Sequence, residues 1–301
     1  MKWNDFTVTV PASTANLGPG FDSIGLALDL HMTIHVSENP VWIVEYADEE
    51  YRHLPSSSDN LIVQTAKKVA QKYGEQLPSA KLLIETDIPL GRGLGSSASA
   101  IAGGIELADC LLGLKIPMQE KVRIGTEMEG HPDNISASLL GGATISYANG
   151  EELAVVHVPK VDIGIIILVP QEVFLTSESR GLLPEKLDYK EAVSSSAAAN
   201  VVSAAIAGGD WQTAGRMMEK DEFHEPYRKA KFPGFDEIRS VCRKAGAYGV
   251  AISGAGPSLF VVTEKGKEHR LSQILNKQFT HYECLLTKPS ESGIKSVQTV
   301  L

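Results

Sequence analysis

The sequence predicts an α+β protein in two domains, on three observations. Segments alternating apolar and polar residues, the period of a half-buried strand, are interspersed with segments whose apolar residues recur every three or four positions, the period of a helix. A chain of 301 residues suits two modest domains better than one. A composition change near Asn149-Gly-Glu-Glu152 sets the expected division at residues 1–152 and 153–301.

The N-terminal part reads as follows. Phe6-Thr-Val-Thr-Val10 alternates as a strand and enters Pro11-Ala-Ser-Thr-Ala-Asn-Leu-Gly-Pro-Gly-Phe-Asp22, where Gly18, Pro19 and Gly20 impose a tight turn. Asn16 and Asp22 flank that turn; they either face a common ligand or bond the turn's own backbone. Leu26 to Val36 and Val41 to Tyr46 read as strands. Asp59 can cap a helix that Gly74 closes, with Leu61, Ile62, Thr65, Ala66 and Val69 on its buried face. Lys81-Leu-Leu-Ile-Glu-Thr is a further strand. Ala98, Ile101, Ile105, Ala108 and Leu112 form a helix that stops at Gly113.

Between that strand and that helix lies Pro89-Leu-Gly-Arg-Gly-Leu-Gly-Ser-Ser-Ala-Ser-Ala100. Glycines let backbone N–H groups approach a ligand in conformations side chains forbid. A helix start adds unpaired N–H donors and the positive end of the helix dipole, so the stretch reads as a phosphate cradle. It is neither of two common phosphate loops. No lysine follows Gly95, and Gly91, Gly93 and Gly95 have the wrong last spacing for a dinucleotide fingerprint.

Ile116-Pro117 starts the next helix, which ends in Thr126-Glu-Met-Glu-Gly-His-Pro-Asp-Asn134. Glu127 and Glu129 near a helix C-terminus oppose its dipole, so a cation should compensate them; magnesium prefers such oxygen ligands. His131 has no histidine or cysteine partner at ligand spacing and reads as a hydrogen-bonding group. Gly141-Gly142 then turns into the strand Ala143-Thr-Ile-Ser-Tyr.

In the C-terminal part, Val155 to Val158 and Ile163 to Val169 read as strands, the second central. Residues 190–220 read as two helices broken at Gly208-Gly209. Asp221 to Arg228 is polar yet holds Phe223 and Tyr227, unlike a plain linker. A helix from Phe235 to Ala245, a strand Tyr248 to Ile252, the small-residue loop Ser253-Gly-Ala-Gly-Pro-Ser258 and a strand Leu259 to Val262 follow, then a final helix and strand.

Hydrophobic content of 43% and charged content of 22% describe a globular chain able to bury a sizeable core. A net charge of −9 argues against nucleic acid but not against a phosphorylated ligand, which a local nest of N–H groups can hold. Cys110, Cys242 and Cys284 are odd in number and far apart, as buried thiols in a reducing compartment are. No apolar run is long enough to span a membrane and the start lacks a signal-peptide core, so a cytoplasmic location is expected.

Three glycine-rich loops with an acidic cluster suggest phosphoryl transfer. The segments 11–22, 89–98 and 253–258 resemble the three signature motifs of the GHMP kinases, and the first, with Glu129-Gly-His-Pro-Asp-Asn134, resembles the homoserine kinases among them. The resemblance covers essentially the whole chain. It implies an N-terminal domain like domain 2 of ribosomal protein S5 and a ferredoxin-like C-terminal domain. It also implies ATP-dependent phosphorylation of the hydroxyl of L-homoserine with Mg²⁺, and is compatible with a homodimer; neither nucleic acid nor a membrane is expected as a partner. The alternatives are another small-molecule kinase of the family and a non-catalytic nucleotide-binding protein.

Carried over residue by residue, the resemblance assigns the ATP phosphates to Leu90, Gly91, Arg92, Gly93, Leu94, Gly95, Ser96, Ser97, Ala98, Ser99 and Ala100, and adenine to Asn60. Ser97 matches the family's magnesium-ligating serine. Glu127 is preferred over Glu129 as its acidic partner because it leaves a full turn before His131. Asn16 and Asp22 are set against the amino and hydroxyl groups of the acceptor. Arg180, four residues after Thr176, and Arg228 match carboxylate-binding arginines. His131, Asp133 and Asn134 match a motif near the reacting hydroxyl; His224, Gly254 and Gly256 complete the acceptor set. The first motif lacks the lysine of mevalonate kinases, so no general base is assigned; Asp22 and Asn134 orient the hydroxyl.

Overall fold

The computed structural model describes residues 4–170 and 179–298. Two sheets organise it. The first has seven strands in the order β11-β1-β2-β4-β3, with β5 on β2 and β6 on β5: β1 Phe6–Ala15, β2 Ile24–Glu38, β3 Ile43–Tyr46, β4 Ala80–Thr86, β5 Ala143–Asn149, β6 Glu152–Val158 and β11 Lys295–Gln298. Strand β2 is 15 residues long, so one edge takes β5 at Ile24–Leu26 and β4 at Met32–Glu38. Helices α1 Leu61–Lys72, α2 Ser96–Leu112, α3 Met118–Glu129 and α4 Asp133–Leu140 belong to this half.

The second sheet is antiparallel, in the order β10-β7-β9-β8, with β7 Gly164–Pro170, β8 Gly249–Ile252, β9 Leu259–Thr263 and β10 Tyr282–Thr287. Its helices are α5 Tyr189–Gly208, α6 Trp211–Met218, α7 Glu225–Arg228, α8 Phe235–Lys244 and α9 Glu268–Gln278. By order of appearance its strands run 4-1-3-2, with helices in the first and last connections: the ferredoxin-like arrangement expected. Strand β7 is buried on both faces. Ile165, Ile167 and Val169 join the core shared with the first sheet, and Ile166 and Leu168 a second core with Phe235 and Ile238. A strand covered twice has no polar face to alternate, hence its unbroken apolar run.

Several expectations are corrected. The 149–152 turn joins β5 to β6 within one sheet, so a division at 152/153 would cut a hairpin; the chain leaves that sheet after Val158. The residues after the three-residue break at Gly130-His-Pro132 form α4, whose eight positions are too few to stand out as a separate period. The chain ends on two strands, the last returning to pair with β1. Asn60, not Asp59, caps α1, accepting from the Ile62 N–H at 3.0 Å, while Asp59 takes the Ser57 hydroxyl. All three cysteines are free thiols; burial pushes Cys242 up to about 12. Among the described residues no helix is long and apolar enough to cross a membrane.

Candidate active site

The site is a cleft where four connections meet: the loop after β1, the glycine loop between β4 and α2, the break between α3 and α4, and the β8–β9 loop. Helix α2 begins at Ser96 on an N-cap, Gly95, that has no side chain to bond the helix's first N–H groups. Those donors have no partner within a helix either, so they stay available to an anion at the mouth of the cleft. Gly91, Gly93 and Gly95 all have left-handed backbones, with φ of 67°, 73° and 70°. Close approach is also required: a Cβ on Gly95 would lie 2.3 Å from Ser13 Oγ, and one on Gly93 2.5 Å from the Ser253 carbonyl. The cradle is thus wedged between β1 and the β8–β9 loop.

Of the residues expected around phosphate, Gly91, Gly93, Gly95, Ser96 and Ser97 line the cleft, whereas Leu94, Ala98, Ser99 and Ala100 are buried below it. The Ser99 hydroxyl donates to the Pro11 carbonyl at 3.0 Å, tying α2 to β1. Leu90 and Arg92 stay half-buried on the loop. Asn60 is not among the residues that line this cleft: besides capping α1 it donates to Tyr46 Oη at 2.9 Å and to the Pro55 carbonyl at 3.0 Å.

The two glutamates of α3 separate. Ser97 Oγ donates to Glu129 Oε2 at 3.0 Å, and burial raises the Glu129 carboxyl above its usual range. Glu127, preferred on spacing, is instead exposed and ion-paired to Lys72 at 3.5 Å. Of the two, Glu129 faces the cradle.

Across the cleft, Arg180 forms a forked pair with Asp22, at 3.1 and 2.7 Å. Asp22 and Asn16 both hold left-handed backbones, φ 52° and 71°, and Asn16 clamps the turn: Oδ1 accepts from the Asp22 N–H and Nδ2 donates to the Gly254 carbonyl at 2.8 Å. These two residues thus bond the backbone of their own turn and of the β8–β9 loop, and also line the cleft. Arg228 is 2% exposed, and no carboxylate among the described residues pairs with it. Its bonds are long and to neutral acceptors: Gly254 carbonyl 3.3 Å, Ser179 carbonyl 3.4 Å, His224 Nδ1 3.2 Å. Burial, with Arg180 nearby, brings it down to about 10. A buried cation so poorly compensated suits an anionic ligand.

His224 sits behind Arg228 and does not line the cleft. It is fully buried, with Nε2 on the Gly18 carbonyl at 3.1 Å, and burial lowers its pKa, so the neutral ring can accept from Arg228. Gly256 also stands back, supporting Gly93, while Gly254 lines the cleft. His131 donates to Asp133 Oδ1 at 2.6 Å, an oxygen that also accepts the Asn134 N–H. Burial opposes the His131 charge, but Asp133, Asp22 and Glu129 outweigh it and raise the pKa. The Asn134 amide donates to Ser13 Oγ at 3.0 Å and fronts the same cleft. Asp22, His131 and Asp133 have the closeness of a metal trio, but hydrogen bonds and Arg180 already engage them. Thr176 lies outside the described residues.

Phe21 was not singled out in the sequence. Its ring lies 5.6 Å from the Arg180 guanidinium and 5.5 Å from that of Arg228, and stacks on His224. Its place between the turn glycines and Asp22 is the one signal that could have marked it.

Comparisons with known proteins identify the family. The N-terminal domain model of the GHMP kinases matches residues 60–142 and the C-terminal model residues 201–281. Homoserine kinase of Bacillus velezensis is 44% identical over 96% of this chain and 94% of its own, and that of Bacillus licheniformis 42% over 98% of each. Among solved structures, the putative homoserine kinase of Listeria monocytogenes superposes with a TM-score of 0.84 at 36% identity, covering 98% of this chain and 100% of that one. The homoserine kinase of Cytophaga hutchinsonii gives 0.85 at 26%, over 99% and 98%. The chain belongs to the GHMP kinase family.

Proposed function

We propose that this protein transfers the γ-phosphoryl group of ATP to the hydroxyl of L-homoserine, giving O-phospho-L-homoserine and ADP. The observation that carries the reading is Arg228, a buried guanidinium without a carboxylate, facing the same cleft as the uncapped start of α2. Relatives named homoserine kinase over nearly the full length support the same acceptor.

An amino-acid zwitterion fits the charges on the page. Its carboxylate takes Arg228 and Arg180, and its ammonium takes Asp22, so one internal ion pair is exchanged for two with the ligand. Phe21 holds both guanidiniums by its face, fixing the fork without competing for its donors. Asn134 and Asp22 orient the hydroxyl toward the cradle, and the proton leaves as the new O–P bond forms, passing to an oxygen of the transferred group. The N–H groups of Gly95, Ser96 and Ser97 grip the phosphates.

Ser97 and Glu129 fit a magnesium ion: a hydroxyl and a carboxylate in contact, the latter costly to ionise without a cation beside it. When bound, the ion neutralises charge on phosphate oxygens. Free cysteines and the need for ATP support a cytoplasmic setting.

The test is ADP release with homoserine, serine, threonine and mevalonate offered separately. Homoserine should lead by about 100-fold or more in kcat/KM, since a site built for a polar group strongly rejects ligands that leave it unpaired. Arg228→Ala should raise the homoserine KM about 100-fold and leave the ATP KM near normal. Mevalonate as the best acceptor, or an Arg228→Ala enzyme with an unchanged homoserine KM, would end the proposal.

A further inference from the structure

His224 and Asp221 are both buried, and both ring nitrogens of His224 have partners. Nε2 meets two acceptors: the Gly18 carbonyl at 3.1 Å and Asp221 Oδ2 at 3.2 Å. Asp221 is committed to accepting, for its oxygens also take the N–H groups of Phe223, His224 and Glu225 at 2.7, 3.2 and 2.7 Å. A bare ring nitrogen would set lone pair against lone pair there, so Nε2 carries the hydrogen. Burial keeps the ring neutral, lowering its pKa against the opposing pull of Asp221. Nδ1 is then bare, and the group it meets is the Arg228 guanidinium, with Nη1 3.2 Å away.

The ring thereby spans the two sides of the amino-acid site. Gly18 lies in the turn that carries Asn16 and Asp22, whereas Arg228 stands on the carboxylate side. Phe21 stacks on His224 with ring centroids 5.3 Å apart and lies 5.5 Å from the Arg228 guanidinium, so the three planar groups pack as one block. The His224 bond is the shortest that Arg228 makes. Nη1 also reaches the Gly254 carbonyl at 3.3 Å and Nε the Ser179 carbonyl at 3.4 Å. No hydrogen bond to Nη2 is made among the described residues.

We propose, resting on homoserine as the acceptor, that His224 is a positioning residue that sets the gap between the ammonium and carboxylate sides of the site, favouring acceptors that carry both groups. Gly18 and Asp221 fix the ring as the Nε2–H tautomer, Nδ1 then holds Arg228 by Nη1, and Nη2 is left for the ligand. A carboxylate directly on Arg228 would neutralise the guanidinium before any ligand arrived. A neutral nitrogen instead aims it and leaves its charge to the acceptor. Asp221, one ring removed, supplies a buried negative charge without occupying the fork.

Two acceptors separate positioning from a structural role: L-homoserine, and the aminopropanol that has the same chain without the carboxylate. His224→Gln keeps a donor for Gly18 and removes the acceptor for Arg228, whereas His224→Asn keeps an acceptor at the place of Nδ1. The Gln variant should raise the homoserine KM about tenfold and leave the KM values for ATP and aminopropanol within about twofold of wild type. The Asn variant should recover most of the homoserine KM. Nitrogen NMR of wild-type protein labelled in its histidine rings should show His224 with a protonated Nε2 and a bare Nδ1. That spectrum needs no acceptor, so it judges the ring geometry whether or not homoserine is turned over. A Gln variant equally impaired with both acceptors, an Asn variant no better than Gln, or a ring carrying its hydrogen on Nδ1 would overturn the proposal.

Discussion

Glu127 and Glu129 stand two positions apart on α3, about 200° around a helix, so they face opposite sides. Spacing to His131 favours Glu127, but the direction of the side chain decides, and Glu129 is the one in contact with Ser97. Glu127 serves Lys72, an exposed pair of small energetic weight. Replacing Glu129 by Gln should therefore lower kcat about 100-fold and raise the Mg²⁺ needed for half-activity, since a polar group aimed at developing charge is worth about that much. Glu127→Gln should stay within about twofold of wild type. Steady-state rates across a magnesium titration check both, and an equal loss in the two variants would sink the assignment.

Between elements, the cradle is held by backbone against backbone. Gly93 meets the carbonyls of Ser253 and Gly256, at 2.5 and 2.6 Å from where a Cβ would be. An alanine there cannot be absorbed by a side chain swinging away; the glycine loop and the β8–β9 loop must part. Gly93→Ala should raise the ATP KM about tenfold or more and cost about 2 kcal/mol or more of stability, the left-handed strain plus the clash. Gly74, with φ 72° and nothing within 4 Å, is the control, and Gly74→Ala should cost only about 1 kcal/mol with normal kinetics. Kinetics and urea melts of the pair separate strain from displacement; identical losses would refute the wedge. What was legible in the chain follows from range. Strong local periods marked β1, β4, α2 and α8, Ala- and Ser-rich composition marked α5, and the glycines marked the cradle, because each depends on neighbours in sequence. The β5–β6 hairpin, the return of β11 to β1 and the role of His224 behind Arg228 depend on partners far along the chain, which leave no local pattern. The capping bond of Asn60 shows a related limit. A residue that both starts a helix and precedes an apolar pair looks alike whether it caps or binds.

At the scale of the molecule, the end of the chain is stitched to its beginning. Strand β11 pairs with Phe6–Thr9 of β1, the strand that leads into Asn16 and Asp22, and the Ser290 N–H donates to the Ala27 carbonyl at 3.0 Å. Beneath β11 lies a buried charge cluster. Lys121 Nζ meets Glu106 at 2.5 Å and Asp109 at 2.6 Å, while Ser296 of β11 donates to the other Glu106 oxygen at 2.7 Å. The cluster therefore ties α2, whose first turn is the cradle, to α3 and to the last strand. Burial opposes the Lys121 charge, yet the two carboxylates outweigh it and raise its pKa. Removing the cation alone strands two carboxylates away from water, so Lys121→Met should cost about 3–5 kcal/mol. Lys121→Met combined with Glu106→Gln and Asp109→Asn leaves no buried charge and should recover most of that loss. Urea unfolding measures the stabilities, and proteolysis near the C-terminus reports whether β11 loosens first. A single variant as stable as wild type, or a triple variant no better than the single, would mean that the cluster does not hold the strand.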